Sequence, residues 1–266
     1  MTYVLYHANC DDGFGAAWAA WKKFGDEAEY IPVQYGQEFP FGQTNDGGKI
    51  FIFDFSYPRE VLEKVADRQW LKVLDHHKTA QADLEGLPFA YFDMDKSGAV
   101  LAWEYLFPSE SLPKLLAYVQ DRDLWRNELD NSEAMTSWRR AFRRDFDSWD
   151  RLSRQVESGD NEWISLGLAI LQSEKIQIKN RIYQASEVDI GGHTVLAVNE
   201  TQHFSEVAGE LAKDEGYPFG ACYFIRGDGV KQWSLRSVGD FDVSEVAKAL
   251  GGGGHKNAAG FEESPE

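Results

Sequence analysis

The first ninety residues alternate between short apolar runs and longer amphipathic stretches, with polar turns between them. The stretches at 13–23 and 59–68 have helical spacing of their apolar residues. Strands that alternate with helices in this way form a mostly parallel sheet with helices on its faces, so the pattern predicts an α/β fold. The apolar runs predict β-strands at residues 3–7, 28–34, 49–54, 71–75 and 89–92.

Helical character dominates the middle of the chain. A helix is predicted from Ser97 through Leu106, and residues 112–184 contain many helix formers and few strand signals. This region is predicted to be a helical connector. Its apolar residues that we expect to form core contacts are Trp138, Phe142, Trp149, Trp163, Leu166, Leu168 and Ile170.

A second set of strand signals begins near Glu187, and it predicts a smaller C-terminal α/β domain. The segment 188–198 has the pattern of a hairpin around the Gly191-Gly192 turn. A run of four glycines then precedes His255. The elements predicted between the hairpin and the glycines are a helix at 204–213, strands at 219–226 and 231–237, and a helix at 243–250.

Side chains that can bind metals follow the ends of several predicted strands. His7 ends the first strand, Asp54 ends the third, and Asp75-His76-His77 closes the fourth. Asp123 follows a helical segment further along. Sites in open α/β sheets gather at the carboxyl ends of the strands. Asp54 and the Asp75-His76-His77 segment are each also explained as turn or capping residues, but capping does not explain His7, and together these residues favour a dinuclear metal site.

The composition limits the kinds of nucleic acid that the protein is expected to bind. The chain has 44 acidic and 27 basic residues and a formal net charge of −17. Gripping a long duplex by its phosphates requires a basic stripe, which this composition does not supply. A short single-stranded oligonucleotide or small phosphodiester fits the charge better. The densest basic group, Arg139-Arg140 with Arg143-Arg144, is interpreted either as a local anion path or as a solvated helix face.

The two cysteines, Cys10 and Cys222, lie far apart without zinc-binding spacing, and Cys10 is interpreted as a packing residue. The N-terminus enters a strand without a signal-like apolar core, and no run approaches the ~20 apolar residues that span a bilayer. We therefore expect a cytoplasmic protein that does not interact with membranes.

The glycine run near the C-terminus suggests an anion site. Residues without β-carbons let backbone N–H groups approach a phosphate closely. His255 and Arg236 add side-chain donors. Four glycines alone would also suit a flexible linker, but the apolar segment Ala258-Ala259-Gly260-Phe261 that follows favours an ordered substrate-binding loop. The predicted binding residues here are Arg236, Gly252, Gly253, Gly254 and His255.

These motifs resemble, in type and chain order, those of the DHH phosphoesterase superfamily, of the oligoribonuclease or RecJ-like phosphodiesterase type. The glycine run resembles the signature of its C-terminal DHH-associated domain. The resemblance implies a DHH catalytic domain at 1–125, a helical connector at 126–186, and a DHH-associated substrate-binding domain at 187–266.

The resemblance also implies roles for the strand-end residues. His7 and an acid of the first loop would hold one ion, His76 and Asp123 the other, and Asp54 would bridge them. Asp75 would orient a ligand histidine, and His77 would contact the phosphate or donate a proton. The residues that the resemblance implies for catalysis are His77, Asp75 and His76, and those implied for substrate contacts in this half are Asn9 and Ser97.

Two divalent cations are implied, with Mn²⁺ as the family's usual metal and Mg²⁺ or Co²⁺ as alternatives. The first loop departs from the family pattern, in which aspartates give each metal its own carboxylate. Here Asn9 stands in that loop, so one site is expected to be weaker, with its ion arriving alongside the substrate. The choice between Asp11 and Asp12 as ligand stays open, with Asp12 favoured because it precedes Gly13.

The implied activity is that of a metal-dependent phosphodiesterase or exonuclease that hydrolyses short, nanoRNA-like oligonucleotides. The second lobe is expected to face the metals and hold the substrate. One alternative is a phosphodiesterase of cyclic or linear dinucleotides. The other is a nucleotide-binding module that has lost one metal. We expect a monomer or a homodimer.

Overall fold

The structure is a computed structural model that describes residues 1–44 and 46–265. The described chain divides into two compact units, one comprising Met1–Ile170 and the other beginning at Leu171. Each unit contains its own sheet, which confirms the predicted α/β fold class.

The first unit is built on five parallel strands in the order β2-β1-β3-β4-β5. Their apolar side chains are buried on both faces, as expected for parallel strands covered by helices. One face carries a core that includes Trp18 and Trp138, and the other carries a core that includes Ile52 and Leu62. The strands are β1 (Thr2–His7), β2 (Ala28–Val33), β3 (Lys49–Phe53), β4 (Trp70–Asp75) and β5 (Ala90–Phe92).

Helices pack on both faces of this sheet and extend beyond it. Helix α1 contacts α4 extensively, since alanines and glycines on α1 let the two backbones approach closely. The helices of the unit are α1 (Asp11–Phe24), α2 (Arg59–Ala66), α3 (Lys78–Asp83), α4 (Gly98–Leu106), α5 (Lys114–Asp123), α6 (Ser132–Arg140), α7 (Phe146–Glu157) and the start of α8 (Glu162–Ile182). None of the helices in the described part of the chain is long and apolar enough to cross a membrane.

The predicted core of the helical region is partly wrong. Trp138, Trp149 and Trp163 are buried as expected. Leu166 and Leu168 are instead about half exposed, at 48% and 49%. They lie on faces of α8 away from the contact at Gly167, where an added Cβ would meet the Ala134 carbonyl oxygen at 2.2 Å.

The second unit contains a six-stranded mixed sheet in the order β10-β11-β9-β8-β7-β6. Strands β7 and β8 are parallel, and the other neighbours are antiparallel. Its elements are β6 (Ser186–Ile190), β7 (His193–Asn199), α9 (Phe204–Leu211), β8 (Gly220–Ile225), β9 (Lys231–Arg236), α10 (Val243–Ala249), β10 (Gly253–His255) and β11 (Ala258–Glu263).

The glycine run is not wholly the loop that the sequence suggests. Gly253 and Gly254 form an edge strand with His255, paired with Gly260, Ala259 and Ala258 respectively. A Cβ at Gly252 would meet the Gly260 carbonyl oxygen at 2.0 Å. Gly254 has φ 142°, which L-residues rarely adopt. Close backbone packing therefore requires glycine here, whatever else the segment binds.

Candidate metal centre

The topology of the first sheet brings the predicted strand-end residues together. The chain leaves β1 toward β2 on one side, while β3 lies on its other side, so the strand order reverses at β1. Crevices at such reversals are the usual ligand sites of open α/β sheets. His7 ends β1, and Asp54 follows β3 directly. His76 follows β4 and adjoins the same crevice.

Asp54 lies at the centre of this cluster. Its Oδ1 is 3.0 Å from His76 Nε2, and its Oδ2 is 3.5 Å from His7 Nδ1. Asp54 is 2% exposed and His76 is 1% exposed. A single buried carboxylate therefore uses one oxygen toward each histidine, which is the arrangement required of a group that bridges two cations.

Asp12 and Asp123 approach the same histidine. Asp12 Oδ2 lies 3.4 Å and Asp123 Oδ2 lies 3.5 Å from His76 Nε2. These three residues offer ligand atoms close enough to share one ion. The structure thus groups Asp12 with His76 and Asp123, whereas the family resemblance places an acid of the first loop with His7.

The N-terminus of α4 holds the Asp12 side chain. The backbone N–H groups of Gly98 and Ala99 donate to its two carboxylate oxygens at 2.5 and 2.9 Å. A helix N-terminus favours negative charge, because its first N–H groups have no intrahelical partner. This contact orients the carboxylate before any cation binds.

A second group of donor atoms surrounds the other oxygen of Asp54. Cys10 Sγ lies 3.2 Å from Asp54 Oδ2 and 3.4 Å from His7 Nδ1. The three residues have ligand atoms within the reach of one ion. Asp54 therefore belongs to this donor group through Oδ2 and contacts the neighbouring group at His76 through Oδ1.

Asp75 organises the backbone and the neighbouring histidine. Its Oδ1 accepts from the His76 N–H at 2.7 Å and lies 2.7 Å from His77 Nδ1. Ser56 Oγ donates to the other oxygen at 2.6 Å. The contact through Nδ1 fixes the orientation of the His77 imidazole.

The electrostatics of the cluster are those of a cation site. Burial opposes charge on His76, but the hydrogen bond to Asp54 and the charges of Asp123 and Asp12 outweigh it and raise the pKa of His76 to about 10. Burial also opposes ionisation of Asp54, yet hydrogen bonds from His7 and His76 hold its pKa well below the usual range.

The other two carboxylates of the cluster, Asp12 and Asp123, have too little positive charge nearby to offset their burial. Burial and the neighbouring charges of Asp54 and Asp123 raise the pKa of Asp12 well above its usual value. Burial, with the charge of Asp54, also raises the pKa of Asp123. Carboxylates crowded out of water are stabilised when a divalent cation joins them. The oxygen and imidazole donors present here fit such ions.

Two acidic residues next to the cluster have structural contacts instead. Asp11 forms ion pairs with Arg139, which is 3% exposed, and with Arg144 Nε at 2.7 Å. Asp121 lies in the last turn of α5 and accepts from the Glu128 N–H of the following segment at 2.9 Å. The structure therefore brings Asp12 rather than Asp11 to His76.

The two predicted substrate contacts in this unit lie beside the cluster. Ser97 is the N-cap of α4, and its hydroxyl accepts from the Val100 N–H at 3.4 Å. Asn9 is exposed and has φ 62° in the first loop. Neither belongs to the groups of metal-capable donors.

In the second unit, Arg236 and His255 lie on one row of the sheet. Ala258 pairs with His255 on one side and with Arg236 on the other. Directly paired residues project from the same face. The Arg236 guanidinium donates to the Leu235 carbonyl oxygen at 2.8 Å and to Ser205 Oγ at 2.7 Å. The small side chain of Ala258 therefore stands between the two basic residues of the row.

Four features of the centre were not predicted from the sequence. Cys10 was interpreted as packing, and the roles of Ser56 and of the Gly98 and Ala99 amides had no signal in residue type. Tyr35 also lies here, with its ring 5.4 Å from that of His7 and with 53% of its surface exposed. Tyr35 follows β2, and this place at the carboxyl edge of the sheet is the only feature of the sequence that could have identified it as a site residue.

Comparison with known proteins agrees with this architecture. The DHHA1 domain matches residues 182–265. The chain is 33% identical over 285 residues to an uncharacterized protein of Acanthamoeba polyphaga mimivirus, and it spans 66% of that protein's length. It is 28% identical over 290 residues to oligoribonuclease NrnB of Bacillus subtilis (strain 168), of which it spans 72%. Both alignments include 97% of the present chain.

A solved structure shares the fold. RecJ of Thermus thermophilus, crystallised in complex with Mn²⁺, superimposes with a TM-score of 0.52 at 14% identity. The match covers 99% of this chain and 49% of RecJ. The order of the strand-end motifs, the parallel sheet that gathers them and the C-terminal domain match lead to one assignment. The chain belongs to the DHH/DHHA1 phosphoesterase superfamily.

Proposed function

We propose that this protein is a metal-dependent phosphodiesterase that hydrolyses short oligonucleotides. The observation that carries the proposal is that Asp54 belongs to one donor group through Oδ2 and contacts the neighbouring group through Oδ1. Hydrolysis of a phosphodiester requires an activated water and neutralisation of the phosphate oxygens. Two divalent cations, most simply Mn²⁺, supply both when bound. Homology to an oligoribonuclease supports this class of substrate.

The protein residues have separable roles in this proposal. Asp54 and His76 would hold the cations, and Asp12 and Asp123 would complete the site nearest His76. Asp75 fixes the His77 ring through Nδ1. With Nδ1 engaged in this way, Nε2 is the nitrogen of His77 that donates to a phosphate oxygen or to the leaving alkoxide.

Nucleotide recognition is supported by an aromatic side chain beside the centre. Tyr35 is about half exposed, and its ring packs edge-on near His7 and His77. Bases stack on such rings without strong sequence preference. We propose that Tyr35 stacks against a nucleobase next to the scissile phosphate.

The second unit is proposed to bind a further anionic group of the substrate. Arg236 and His255 project from the same row of the sheet, and the Ser205 hydroxyl positions the guanidinium. Arginine binds phosphate or carboxylate with two parallel hydrogen bonds. The net charge of −17 favours a short anionic ligand over a long one.

The test is hydrolysis of a bis(p-nitrophenyl) phosphate and of labelled RNA, from dinucleotides to longer strands, with added Mn²⁺. We expect metal-dependent turnover that His76→Ala abolishes while the circular dichroism spectrum is retained. Tyr105→Ala, which removes an exposed ring far along α4, is the matched control and should keep full activity.

The distribution of products distinguishes the candidate functions. Stepwise shortening of several strand lengths supports an oligonucleotide exonuclease. Turnover restricted to linear or cyclic dinucleotides would replace it with a dinucleotide phosphodiesterase. Intact nucleotide binding without turnover of any diester would overturn the enzymatic proposal in favour of a binding module.

A further inference from the structure

We propose that the Cys10 thiolate is a ligand of one of the two metal ions, together with His7 and Asp54. This inference rests on the proposed function and deepens it, because it specifies the donor atoms and hence the metals that the centre prefers. It replaces the interpretation of Cys10 as a packing residue.

The geometry of the first loop places sulfur among the donors. Cys10 Sγ lies 3.4 Å from His7 Nδ1 and 3.2 Å from Asp54 Oδ2. The His7 and Asp54 atoms are themselves 3.5 Å apart. Three donors of different chemistry therefore surround one point, and Asp54 Oδ1 connects that point to the group around His76.

Burial and the charges of Asp54 and Asp12 raise the pKa of Cys10 well above its usual value, so the thiolate requires a bound cation; two features of the backbone then help to stabilise it. The Gly13 N–H donates to Cys10 Sγ at 3.1 Å, and the residue is the N-cap of the 14-residue helix α1. Backbone N–H donors and a helix N-terminus stabilise a thiolate. On binding a cation, the Cys10 thiol releases its proton to solvent, and the sulfur lone pair forms the coordinate bond.

Cys10 also supplies the donor that the first loop otherwise lacks. Asn9 is neutral and exposed, and Asp11 is held by Arg139 and Arg144. Asp12 is directed to the other group by the amides of α4. With Cys10 included, each group has three donors from different residues, and Asp54 provides the bridge.

A sulfur ligand changes the expected metal preference. Thiolates favour borderline and soft cations, whereas carboxylates and water suit Mn²⁺ and Mg²⁺. We therefore expect Zn²⁺, Co²⁺ or Fe²⁺ to bind the His7 group more tightly than Mn²⁺ does. The group around His76 contains two carboxylates and one imidazole, so it keeps a preference for harder ions.

The competing interpretation is that Cys10 serves only as a helix cap. Serine is among the best N-cap residues, so Cys10→Ser preserves that role and the fold while it removes the thiolate. Cys10→Asp also preserves a cap and restores a hard carboxylate donor. Cys222→Ala removes the other thiol, which is buried in the second unit, and is the matched control.

Titration of the full chain with Co²⁺ provides a direct readout that does not depend on activity. A thiolate ligand produces an intense sulfur-to-cobalt charge-transfer band in the near ultraviolet. We expect the band in the natural sequence and in Cys222→Ala, and its loss in Cys10→Ser. Calorimetry should show Zn²⁺ affinity reduced at least about 10-fold in Cys10→Ser, and Cys10→Asp should move the preference toward Mn²⁺.

The possible results separate this inference from the proposed function. Visible Co²⁺ bands without a charge-transfer band, unchanged in Cys10→Ser, would overturn sulfur ligation and leave the metal-dependent phosphodiesterase intact. A charge-transfer band lost in Cys10→Ser would support ligation even if no diester were hydrolysed. Absence of any Co²⁺, Zn²⁺ or Mn²⁺ binding would overturn both.

Discussion

Asp54 has the most constrained backbone among the residues of the metal centre. Its φ of 56° lies in the left-handed region, which costs an L-residue about 1–2 kcal/mol. Aspartate tolerates this conformation better than branched or bulky residues do. Its N–H donates to the Leu74 carbonyl oxygen at 3.0 Å, which ties the turn to β4. The strained backbone at Asp54 thus positions a side chain whose two oxygens contact two different donor groups.

The adjacent aspartates at the start of α1 are expected to respond differently to the same substitution. Asp12→Asn removes charge from the group around His76, so divalent-metal affinity should fall at least about 10-fold. Asp11→Asn leaves the buried Arg139 guanidinium without a carboxylate, so the free energy of unfolding should fall by about 1–3 kcal/mol. Calorimetric titration with Mn²⁺ and urea unfolding measure the two effects.

Each aspartate variant is the control for the other. Asp11→Asn should keep metal affinity within a few-fold of the natural sequence. If Asp11→Asn lost the metal while Asp12→Asn kept it, the metal ligand would be Asp11 and not Asp12.

The directions of the side chains decide between Asp11 and Asp12, a choice that the sequence left open. Asp11 and Asp12 are chemically identical neighbours, and only the position of Arg139 on α6 and of the α4 amides separates them. Cys10 could not be predicted as a site residue, because its type is more often buried for packing. His7, by contrast, was predictable, since a histidine at a strand end has no packing explanation.

Among the structural elements, α4 has a role that its sequence only partly reveals. The Ser97 N-cap predicts where the helix begins, and the structure starts it at Gly98. A Cβ at Gly98 would lie 2.4 Å from Asp54 Cβ and 2.9 Å from its Cα. Glycine at the first turn therefore lets the helix N-terminus reach both Asp12 and Asp54.

We expect Gly98→Ala to damage the metal centre although alanine is the better helix former. The intrinsic gain of up to about 1 kcal/mol is outweighed by contact with the Asp54 backbone, which is not free to move. Metal affinity should fall roughly 10–100-fold, with a lower melting temperature. The measurements are Mn²⁺ calorimetry and thermal unfolding followed by circular dichroism.

Gly42→Ala is the matched control, since an added Cβ there meets nothing within 4 Å and its φ is unexceptional. It should leave both metal affinity and melting temperature close to those of the natural sequence. Unchanged metal affinity in Gly98→Ala would mean that α4 adapts without displacing Asp54.

The row of paired residues His255, Ala258 and Arg236 across β10, β11 and β9 allows the proposed anion site of the second unit to be tested. Arg236→Ala removes the guanidinium but not its neighbours on the row, so KM for oligonucleotides should rise while metal content is unchanged. Arg236→Lys should recover part of the loss, because a lysine keeps the charge without the two-pronged geometry. Steady-state kinetics with metal analysis test this, and loss of bound metal in Arg236→Ala would contradict the assignment.

Strand signals were more predictive than glycine and helix signals at this scale. The parallel strands follow from unbroken apolar runs, and their carboxyl ends follow from chain direction alone. The glycine run was expected to be an ordered loop, but tertiary packing against Gly260 and Phe261 makes part of it a strand. Leu166 and Leu168 were expected in the core because their type is apolar, but they project away from the face of α8 that packs at Gly167 and are about half exposed.

In the whole molecule, repulsion among acidic groups lowers the stability of the fold, and a cation bound at the metal centre would relieve part of that repulsion. A formal charge of −17 destabilises a compact chain by self-repulsion, and part of that charge is concentrated in the buried carboxylates around His76. The raised pKa values of Asp12 and Asp123 show that their ionised forms are disfavoured without a cation. Net charge could be read from the sequence, but its concentration in one buried crevice could not.

Adding metal should therefore stabilise the protein against heat. A ligand that binds only the folded state contributes about 2.7 kcal/mol at one hundred times its dissociation constant. For a unit of this size that corresponds to roughly 5–10 °C in melting temperature. Tryptophan emission reports the effect, because eight of the nine tryptophans lie in the unit that contains the centre and Trp233 alone lies in the other. EDTA should reverse the shift, and His76→Ala should remove most of it. A shift of equal size in His76→Ala would place the stabilising ion outside the crevice at the end of β1, β3 and β4.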